Sequence, residues 1–349
     1  MKAFDQLTER GQHQRRRRLA EAALAAFGIQ AEQLTFINHG ENTTYRVKTA
    51  AADGSQTGFY RTGYYLLRLH GINYNSAAEI NSELQWLKAL AEEAKLPVPL
   101  PVAGLDGRYV QSVQIAEIPH RYNCSLMEWL DGRLQINNPT PAHCQQLGLL
   151  VGQLHQHAQN WVLPRDFQRR SWDWEGQFGA NVSNGADHAT VWAAIPAQHH
   201  QLLQQTMDDF AEVERMLGKG RDVYGLIHAD PHWGNILFAD GAARAIDFDD
   251  CGFGYWLYDL AIAVGRWRIT PQWDGIWQNF LKGYCQLQRW DEAASKLLDV
   301  IISARCTNVL QWYVGHATYD PLFASDVHEV IETFTTRIRT IYLHPPLAR

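Results

Sequence analysis

Residues 224–254 read YGLIHADPHWGNILFADGAARAIDFDDCGFG, and this stretch decides how the chain is interpreted. The apolar run YGLI predicts a strand that delivers Asp230 to the start of a loop, and ILF predicts a second strand that begins beside Asn235. A tight turn at 239–243 then returns the chain along ARAI. We therefore expect Asp247 to lie beside Asn235, so that one short segment supplies a proton acceptor and a two-ligand cation site.

The spacing of these polar residues is that of a kinase catalytic loop. His228-Ala-Asp230 is followed after four residues by Asn235, and Asp247 comes after a further strand. Phosphoryl transfer requires a carboxylate for the attacking hydroxyl and oxygen ligands for Mg²⁺. A single aspartate is more often a cap or a turn residue, but this set at this spacing predicts phosphoryl transfer.

Composition limits the classes of protein that the chain can belong to. The 349 residues favour two lobes, and a net charge of -6 argues against a dedicated nucleic-acid binder. No apolar run is long enough to span a membrane, no signal peptide is present, and the five cysteines are scattered. These features predict a cytoplasmic protein without disulfides. The run Arg15–Arg18 fits the solvated face of a helix predicted to end at Phe27 better than a nucleic-acid patch.

The chain changes character about one third of the way along. Residues 34–40, 43–49 and 63–70 have the pattern of strands, and residues 76–94 have the period of a helix. Helical patterns dominate from Pro141 onward. We therefore predict a strand-rich lobe at 1–127, a hinge near 127–131 and a larger helical lobe at 128–349.

The segments HADPHWGN and IDFDD, followed by YDLA at Tyr258–Ala261, resemble the aminoglycoside phosphotransferase-like kinases. Choline kinases, homoserine-kinase-type enzymes and a bacterial stress-response protein kinase are relatives in that family. The resemblance implies an α+β, protein-kinase-like two-lobe fold, with a small antiparallel sheet and one main helix in the N-lobe and a mainly helical C-lobe. It further implies that Asp230 is the catalytic base, that Asn235 and Asp247 hold Mg²⁺, and that His228 and Asp259 support the loop.

The resemblance also assigns residues of the N-lobe to the nucleotide. Arg68 stands where the family's phosphate-binding lysine is expected, and its guanidinium suits phosphate oxygens. Its partner is expected to be Glu83, with Glu79 one turn earlier as the alternative. The remaining candidates are the phosphate-loop residues Glu41, Asn42 and Thr43 and the adenine-binding hinge residues Glu128, Trp129 and Leu130.

The sequence allows two interpretations, a role in the site or a structural one, for several polar and aromatic side chains. Asp249 and Asp250 either line the acceptor side of the site or form a solvated pair. His232 is expected to pack in the loop and not to bind a metal ion. Trp172 and Trp174 are placed either at the mouth of the cleft or in the core.

The sequence therefore predicts an ATP- and Mg²⁺-dependent phosphotransferase that acts on a hydroxyl group of a small molecule. The candidate acceptors are an amino alcohol, a sugar, an aminoglycoside-like compound or a homoserine-like metabolite. A protein Ser/Thr kinase is the first alternative, and a non-catalytic nucleotide-binding module is the second. A metal-dependent phosphohydrolase is the third, but its ligands would be distributed over several strand ends. Neither a nucleic-acid partner nor a membrane is expected, and the sequence leaves the oligomeric state open.

Overall fold

The computed structural model describes residues 4, 7–72, 74–179, 182, 185–292 and 294–343. The chain forms two compact units. The first unit contains Met1–Arg133, Leu163–Gln168 and Arg244–Asp249, and the second contains Leu134–Val162, Arg169–Ala243 and Asp250–Arg349. The first unit is therefore discontinuous along the chain.

The first unit is built on an antiparallel sheet. Its strands are β1 (Gln33–His39), β2 (Thr43–Lys48), β3 (Gln56–Thr57), β4 (Tyr60–Leu69), β5 (Pro101–Val102), β6 (Gln111–Val113) and β7 (Tyr122–Leu130). The strand order is β1-β2-β4-β7-β5, with β3 paired to β4 and β6 paired to β7. The predicted strands at 34–40, 43–49 and 63–70 correspond to β1, β2 and β4.

Two helices belong to the first unit, α1 (Glu9–Ala26) and α2 (Ala77–Glu92). Helix α2 begins with a capping box, in which Ser76 and Glu79 each accept a hydrogen bond from the other's backbone N–H. Its buried face includes Ile80, Leu84 and Leu87, as the 3.6-residue period predicted. The helix therefore presents one side of its surface to the core of the unit.

The arginine run of α1 is only partly solvated, so that expectation needs correction. Arg16 is buried and its guanidinium lies 5.2 Å from the ring centroid of Phe4. Arg15 and Arg17 donate to the backbone oxygens of Glu117 and Leu34 at 2.9 Å. Long cationic side chains bury their stems along apolar surface while their heads find acceptors, which a charge count does not reveal.

The other elements follow in chain order. They are β8 (Arg133–Leu134), α3 (Pro141–Asn160), α4 (Trp174–Phe178), α5 (His188–Ala194), α6 (Ala197–Leu217), β9 (Tyr224–Ile227), β10 (Ile236–Ala239), β11 (Ala242–Ala245), β12 (Gly252–Tyr255), α7 (Trp256–Gly265), α8 (Trp273–Tyr284), α9 (Ala294–Ala317), α10 (Pro321–Ala324) and α11 (Val327–Leu343). Every residue of α7 is buried, and α7 packs on α3 and α9. The α+β composition that the sequence predicted is confirmed.

Helices α3 and α8 approach each other closely through two glycines. A Cβ added to Gly148 would lie 2.0 Å from the backbone oxygen of Phe280, and one added to Gly283 would lie 1.9 Å from that of Gln145. Backbone atoms cannot move aside as a flexible side chain can. The absence of a side chain at both positions therefore sets the distance between the two helices.

Within the described ranges, none of the helices has both the length and the hydropathy that crossing a membrane requires. All five cysteines are free, and four of them are buried.

We predict that Gly148→Ala destabilises the protein by about 1–3 kcal/mol, because the new methyl group forces the two helices apart. Gly275 is the matched control, since it lies in α8 with nothing within 4 Å of an added Cβ. Gly275→Ala should stabilise the protein by about 0.5–1 kcal/mol through helix propensity. Urea unfolding measures the free energy of unfolding of both variants. Equal changes for the two substitutions would contradict this account of the helix contact.

Candidate active site

A buried carboxylate determines the backbone conformation of the loop after β9. One oxygen of Asp259 accepts the backbone N–H of His228 at 3.0 Å, and the other accepts that of Ala229 at 2.8 Å. Ala229 has a φ of 66°, a conformation that is unfavourable for a residue with a side chain. The two charge-assisted hydrogen bonds offset this cost. Asp259 therefore holds the turn from which Asp230 projects.

A histidine of α3 supports that carboxylate. Nε2 of His155 lies 3.1 Å from Asp259, and Nδ1 lies 3.0 Å from the hydroxyl of Tyr284. Because an ionised carboxylate only accepts, Nε2 of His155 carries the hydrogen of the bond to Asp259. Burial raises the pKa of Tyr284 above its usual range, which keeps that hydroxyl protonated. All three side chains are buried, so the network is rigid.

Both carboxylate oxygens of Asp230 are held by nitrogen donors. Arg305 Nη2 donates to Oδ1 at 2.9 Å, and Asn235 Nδ2 donates to Oδ2 at 2.9 Å. Asn235 Nδ2 also donates to the backbone oxygen of Asp230 at 3.0 Å. Since both bonds use the amide nitrogen, the amide oxygen of Asn235 is the atom that suits a cation.

His228 and His232 both hold the loop in shape. His228 is fully buried, and its Nδ1 accepts the backbone N–H of Asp230 at 3.3 Å. His232 Nδ1 accepts the N–H of Gly234 at 2.9 Å, and its Nε2 lies 3.4 Å from the Asp230 carboxylate. Although half of the His232 side chain is exposed, partial burial and the Arg305 cation lower its pKa.

In the first unit, Arg68 lies among three carboxylates. Its guanidinium is 2.8 Å from Glu83, 3.2 Å from Asp247 and 3.6 Å from Asp249, and the side chain is only 4% exposed. Burial disfavours the cation, but the three carboxylates outweigh that effect and raise the pKa of Arg68. The partner observed for Arg68 on α2 is Glu83, whereas Glu79 caps the helix.

Asp247 combines a left-handed backbone with an accessible carboxylate. Its φ is 62°, and half of its side chain is exposed. An aspartate tolerates this conformation better than most residues, although the conformation still carries a cost. The carboxylate therefore has one side on Arg68 and another side open to solvent.

Asp249 is buried and braces the phosphate loop predicted at 41–43, so the solvated interpretation is wrong for this residue. Its carboxylate accepts from Asn42 at 2.7 Å and from Asn75 at 3.1 Å. The Asn42 side chain also accepts the N–H of Gly71 at 3.1 Å.

The other phosphate-loop candidates differ in their surroundings. The hydroxyl of Thr43 is buried against His39, with Oγ1 and Nδ1 2.8 Å apart. Glu41 is half-buried, and its backbone oxygen would lie 2.0 Å from a Cβ at Gly71. The chain passes so close at this point that Gly71 admits no side chain. Contacts of this loop with phosphate stay a prediction.

The hinge residues lie in the last part of β7. Glu128 N donates to the backbone oxygen of Leu100 at 2.9 Å, and Leu130 pairs with Tyr60 of β4. The Trp129 ring packs 5.7 Å from the Arg46 guanidinium. The strand ends before Gly132, which has a φ of 148°. Adenine binding at Glu128–Leu130 stays a prediction.

Asp250 and Trp172 contact each other within the second unit. Trp172 is buried and donates its indole N–H to the backbone oxygen of Asp250 at 2.7 Å. The Asp250 carboxylate lies 3.7 Å from Arg170 and is about one-fifth exposed. Trp174 is half-buried and donates to the backbone oxygen of Met207 at 3.1 Å. Trp172 is therefore part of the core of this unit, whereas Trp174 is only partly covered.

Two residues of this network, Arg305 and His155, are not among the site residues that the sequence predicted. Arg305 lies on α9, 75 positions after Asp230, and no spacing rule connects them. His155 lies on the buried face of α3. A buried histidine on an otherwise apolar helix face was the signal for a structural partner.

The sequence model of the phosphotransferase enzyme family (APH) matches residues 33–297, which is more than half of the chain. The chain therefore belongs to the phosphotransferase enzyme family.

Curated relatives and solved structures extend this result. The chain is 26% identical over 313 residues to amicoumacin kinase of Bacillus subtilis (strain 168), with 86% of this chain and 85% of that protein covered. It is 27% identical over 224 residues to homoserine kinase of Methylobacillus flagellatus, with 62% and 63% covered.

Among solved structures, a microcompartment-associated aminopropanol kinase has a TM-score of 0.75 at 28% identity, covering 93% of this chain and 94% of that one. An amicoumacin kinase in complex with AMP-PNP and Ca²⁺ has a TM-score of 0.74 at 20% identity, covering 95% and 96%, and shares the fold.

The predicted family and the protein-kinase-like fold are confirmed. The chain is a kinase, a phosphotransferase with an alcohol group as acceptor, as the sequence predicted.

We predict that Asp259→Asn destabilises the protein by about 1–3 kcal/mol, because an amide has only one oxygen for two buried N–H donors. Asp274 in the first turn of α8 is exposed, and Asp274→Asn should change stability by about 0.5 kcal/mol or less. Thermal unfolding compares the two. A wild-type melting temperature for Asp259→Asn would contradict the assigned role of this carboxylate.

Proposed function

We propose that this chain transfers the γ-phosphate of ATP, with Mg²⁺, to a hydroxyl group of a small molecule. The observation that carries the proposal is the fixation of Asp230, whose two carboxylate oxygens accept from Arg305 and Asn235. A carboxylate fixed in this way keeps lone pairs available to orient the acceptor hydroxyl and to take its proton as the O–P bond forms.

The charges of the first unit support binding of a nucleotide with a divalent cation. Arg68 carries one formal positive charge and lies among the three formally negative carboxylates of Glu83, Asp247 and Asp249, so negative charge exceeds positive charge within this set of four side chains. A cation that neutralises this excess would be held by the Asp247 carboxylate and the Asn235 amide oxygen. Both are oxygen donors of the type that Mg²⁺ prefers, and Mg²⁺ completes its shell with phosphate and water. The bound ion supplies charge neutralisation on the phosphates.

The remaining roles follow the same proposal. Arg68, fixed by Glu83, contacts the nucleotide phosphates. Phosphate contacts from Glu41, Asn42 and Thr43, adenine contacts from Glu128 to Leu130, and an acceptor contact from Asp250 complete the site. We further propose that 1–127 and 128–349 act as the two lobes of a cytoplasmic enzyme without a nucleic-acid or membrane partner.

For the acceptor we favour an amino alcohol. The solved aminopropanol kinase, which this chain resembles with a TM-score of 0.75 at 28% identity, supports this choice. The segment after Asp250 also favours a small acceptor over a peptide. Strand β12 begins at Gly252 and α7 at Trp256, so this part of the chain contains no long segment on which an extended peptide could lie.

We predict that ATP raises the melting temperature of the wild type only when Mg²⁺ is present, and that Asp247→Asn removes most of this rise. Asp240→Asn is the matched control, because Asp240 is also an aspartate with positive φ but lies in the exposed turn after β10. Asparagine tolerates the left-handed conformation at both positions. An equal Mg²⁺-dependent shift in the two variants would remove Asp247 from the proposed metal site.

Turnover is tested with a panel that contains aminopropanol, homoserine, a sugar and an aminoglycoside, together with generic protein substrates. We expect aminopropanol to give the highest kcat/KM, and Asp230→Asn to lower kcat by about 10²- to 10⁴-fold. A variant with full turnover would refute the assignment of Asp230 as the base. Phosphorylation of protein substrates alone would favour the protein-kinase alternative.

A further inference from the structure

Arg305 is a half-buried cation that lies outside the catalytic-loop motif. It is located in the middle of α9, its side chain is 19% exposed, and its Nη2 donates to Asp230 Oδ1 at 2.9 Å. Arg305 and Asn235 thus bind opposite oxygens of the same carboxylate. Of these two donors, only Asn235 belongs to the motif on which the family resemblance rests.

The guanidinium of Arg305 is held from several sides. Nη1 donates to the hydroxyl of Tyr258 at 3.3 Å and to the side-chain oxygen of Asn308 at 3.2 Å. The Trp172 and Tyr258 rings lie 5.8 Å and 5.9 Å from its central carbon. Arginine presents its donors in a rigid planar fork, so contacts on one edge fix the direction of the other edge. The donor that faces Asp230 is therefore oriented before any substrate binds.

The charges around Arg305 also favour this arrangement. The nearby Asp230 and Asp250 carboxylates stabilise the cation against its burial, and its pKa is raised. The Asp250 carboxylate is paired with Arg170, so two cations and two anions alternate in this part of the second unit. Arg305 is thus permanently charged.

We propose that Arg305 is a positioning residue for phosphoryl transfer, which holds the Asp230 carboxylate in the orientation that receives the acceptor proton. This inference rests on the proposed function, because it assigns Arg305 a task only where Asp230 is the base. Without Arg305 the carboxylate loses the donor on Oδ1, while the contacts of Asn235 and His232 with Oδ2 remain. The carboxylate then turns more readily about its side-chain bonds, so the productive orientation is populated less. Nucleotide binding does not depend on this orientation.

The test compares Arg305→Met and Arg305→Lys with the wild type. Methionine keeps an apolar stem near the two rings, whereas lysine keeps the charge but cannot bind Asp230 and Tyr258 with one planar fork. Arg268→Met is the matched control. Arg268 also pairs with an aspartate of α9, Asp299, at 2.6 Å and 2.9 Å, and it lies over the Trp273 ring.

ATP turnover is measured with the panel compound that gives the highest rate. Water serves as the acceptor if no panel compound gives a higher rate than water does. We expect Arg305→Met to lower kcat by about 10- to 100-fold while KM for ATP stays within about twofold. Arg305→Lys should recover part of the loss, and added guanidinium ion should recover part of it in Arg305→Met. Arg268→Met should lose stability but keep the wild-type kcat.

Wild-type kcat in both Arg305 variants, with Asp230→Asn inactive, would overturn the inference and leave the proposed function intact. Arg268→Met could also lose kcat to the same extent as Arg305→Met, with no recovery from Arg305→Lys or from added guanidinium ion. That result would overturn the inference too, since the lower kcat would then come from a loss of folding. Should Arg305→Met not fold, Arg305→Lys decides, and a kcat equal to that of the wild type counts against the positioning role. Full activity of Asp230→Asn would instead refute the proposed function itself.

Discussion

The second unit depends on one electrostatic constraint, the acceptance of two backbone N–H groups by the buried carboxylate of Asp259. Ala229 would not hold a positive φ without compensation, and Asp259 supplies it. The carboxylate is itself kept in place by His155, and α7, which carries it, is buried along its whole length. The orientation of Asp230 is therefore determined from α7, a helix that follows the loop along the chain and has no exposed residue.

Two arginines organise the two units in different ways. Arg68 has three carboxylate neighbours and leaves an excess of negative charge, which suits a site that receives a metal ion with its nucleotide. Arg305 lies near two aromatic rings, and its positive charge is paired with the Asp230 carboxylate. The first arrangement favours ligand binding, whereas the second favours a fixed geometry.

Much of this structure follows from local patterns in the sequence. Strands β1, β2, β4 and β9 have clear apolar periods, and the spacing of His228, Asp230 and Asn235 is a property of one loop. The family resemblance implies the pairing of Arg68 with Glu83 of the next helix, and the structure shows it.

Other features depend on contacts between distant segments. Arg305 approaches Asp230 from a helix far along the chain, and no periodicity encodes that contact. The burial of Arg16 depends likewise on Phe4 and on where the helix packs, which a run of four arginines does not show. The sequence leaves Asp249 a solvated interpretation beside the acceptor-side one because its partners, Asn42 and Asn75, lie more than 170 residues away.

The discontinuity of the first unit has a consequence for the order in which the protein assembles during translation. Asn42 and Asp249 are separated by 207 positions, and Asp247 reaches Arg68 across 179. A ribosome that has released only the first 133 residues has supplied the whole sheet of this unit, but not the strand end that carries these carboxylates. Arg68 and Glu83 then face each other without the acidic partners that complete their cluster. The nascent N-terminal unit thus remains an unfinished intermediate until nearly 250 residues have left the exit tunnel, and the segment that completes it emerges directly after the catalytic loop.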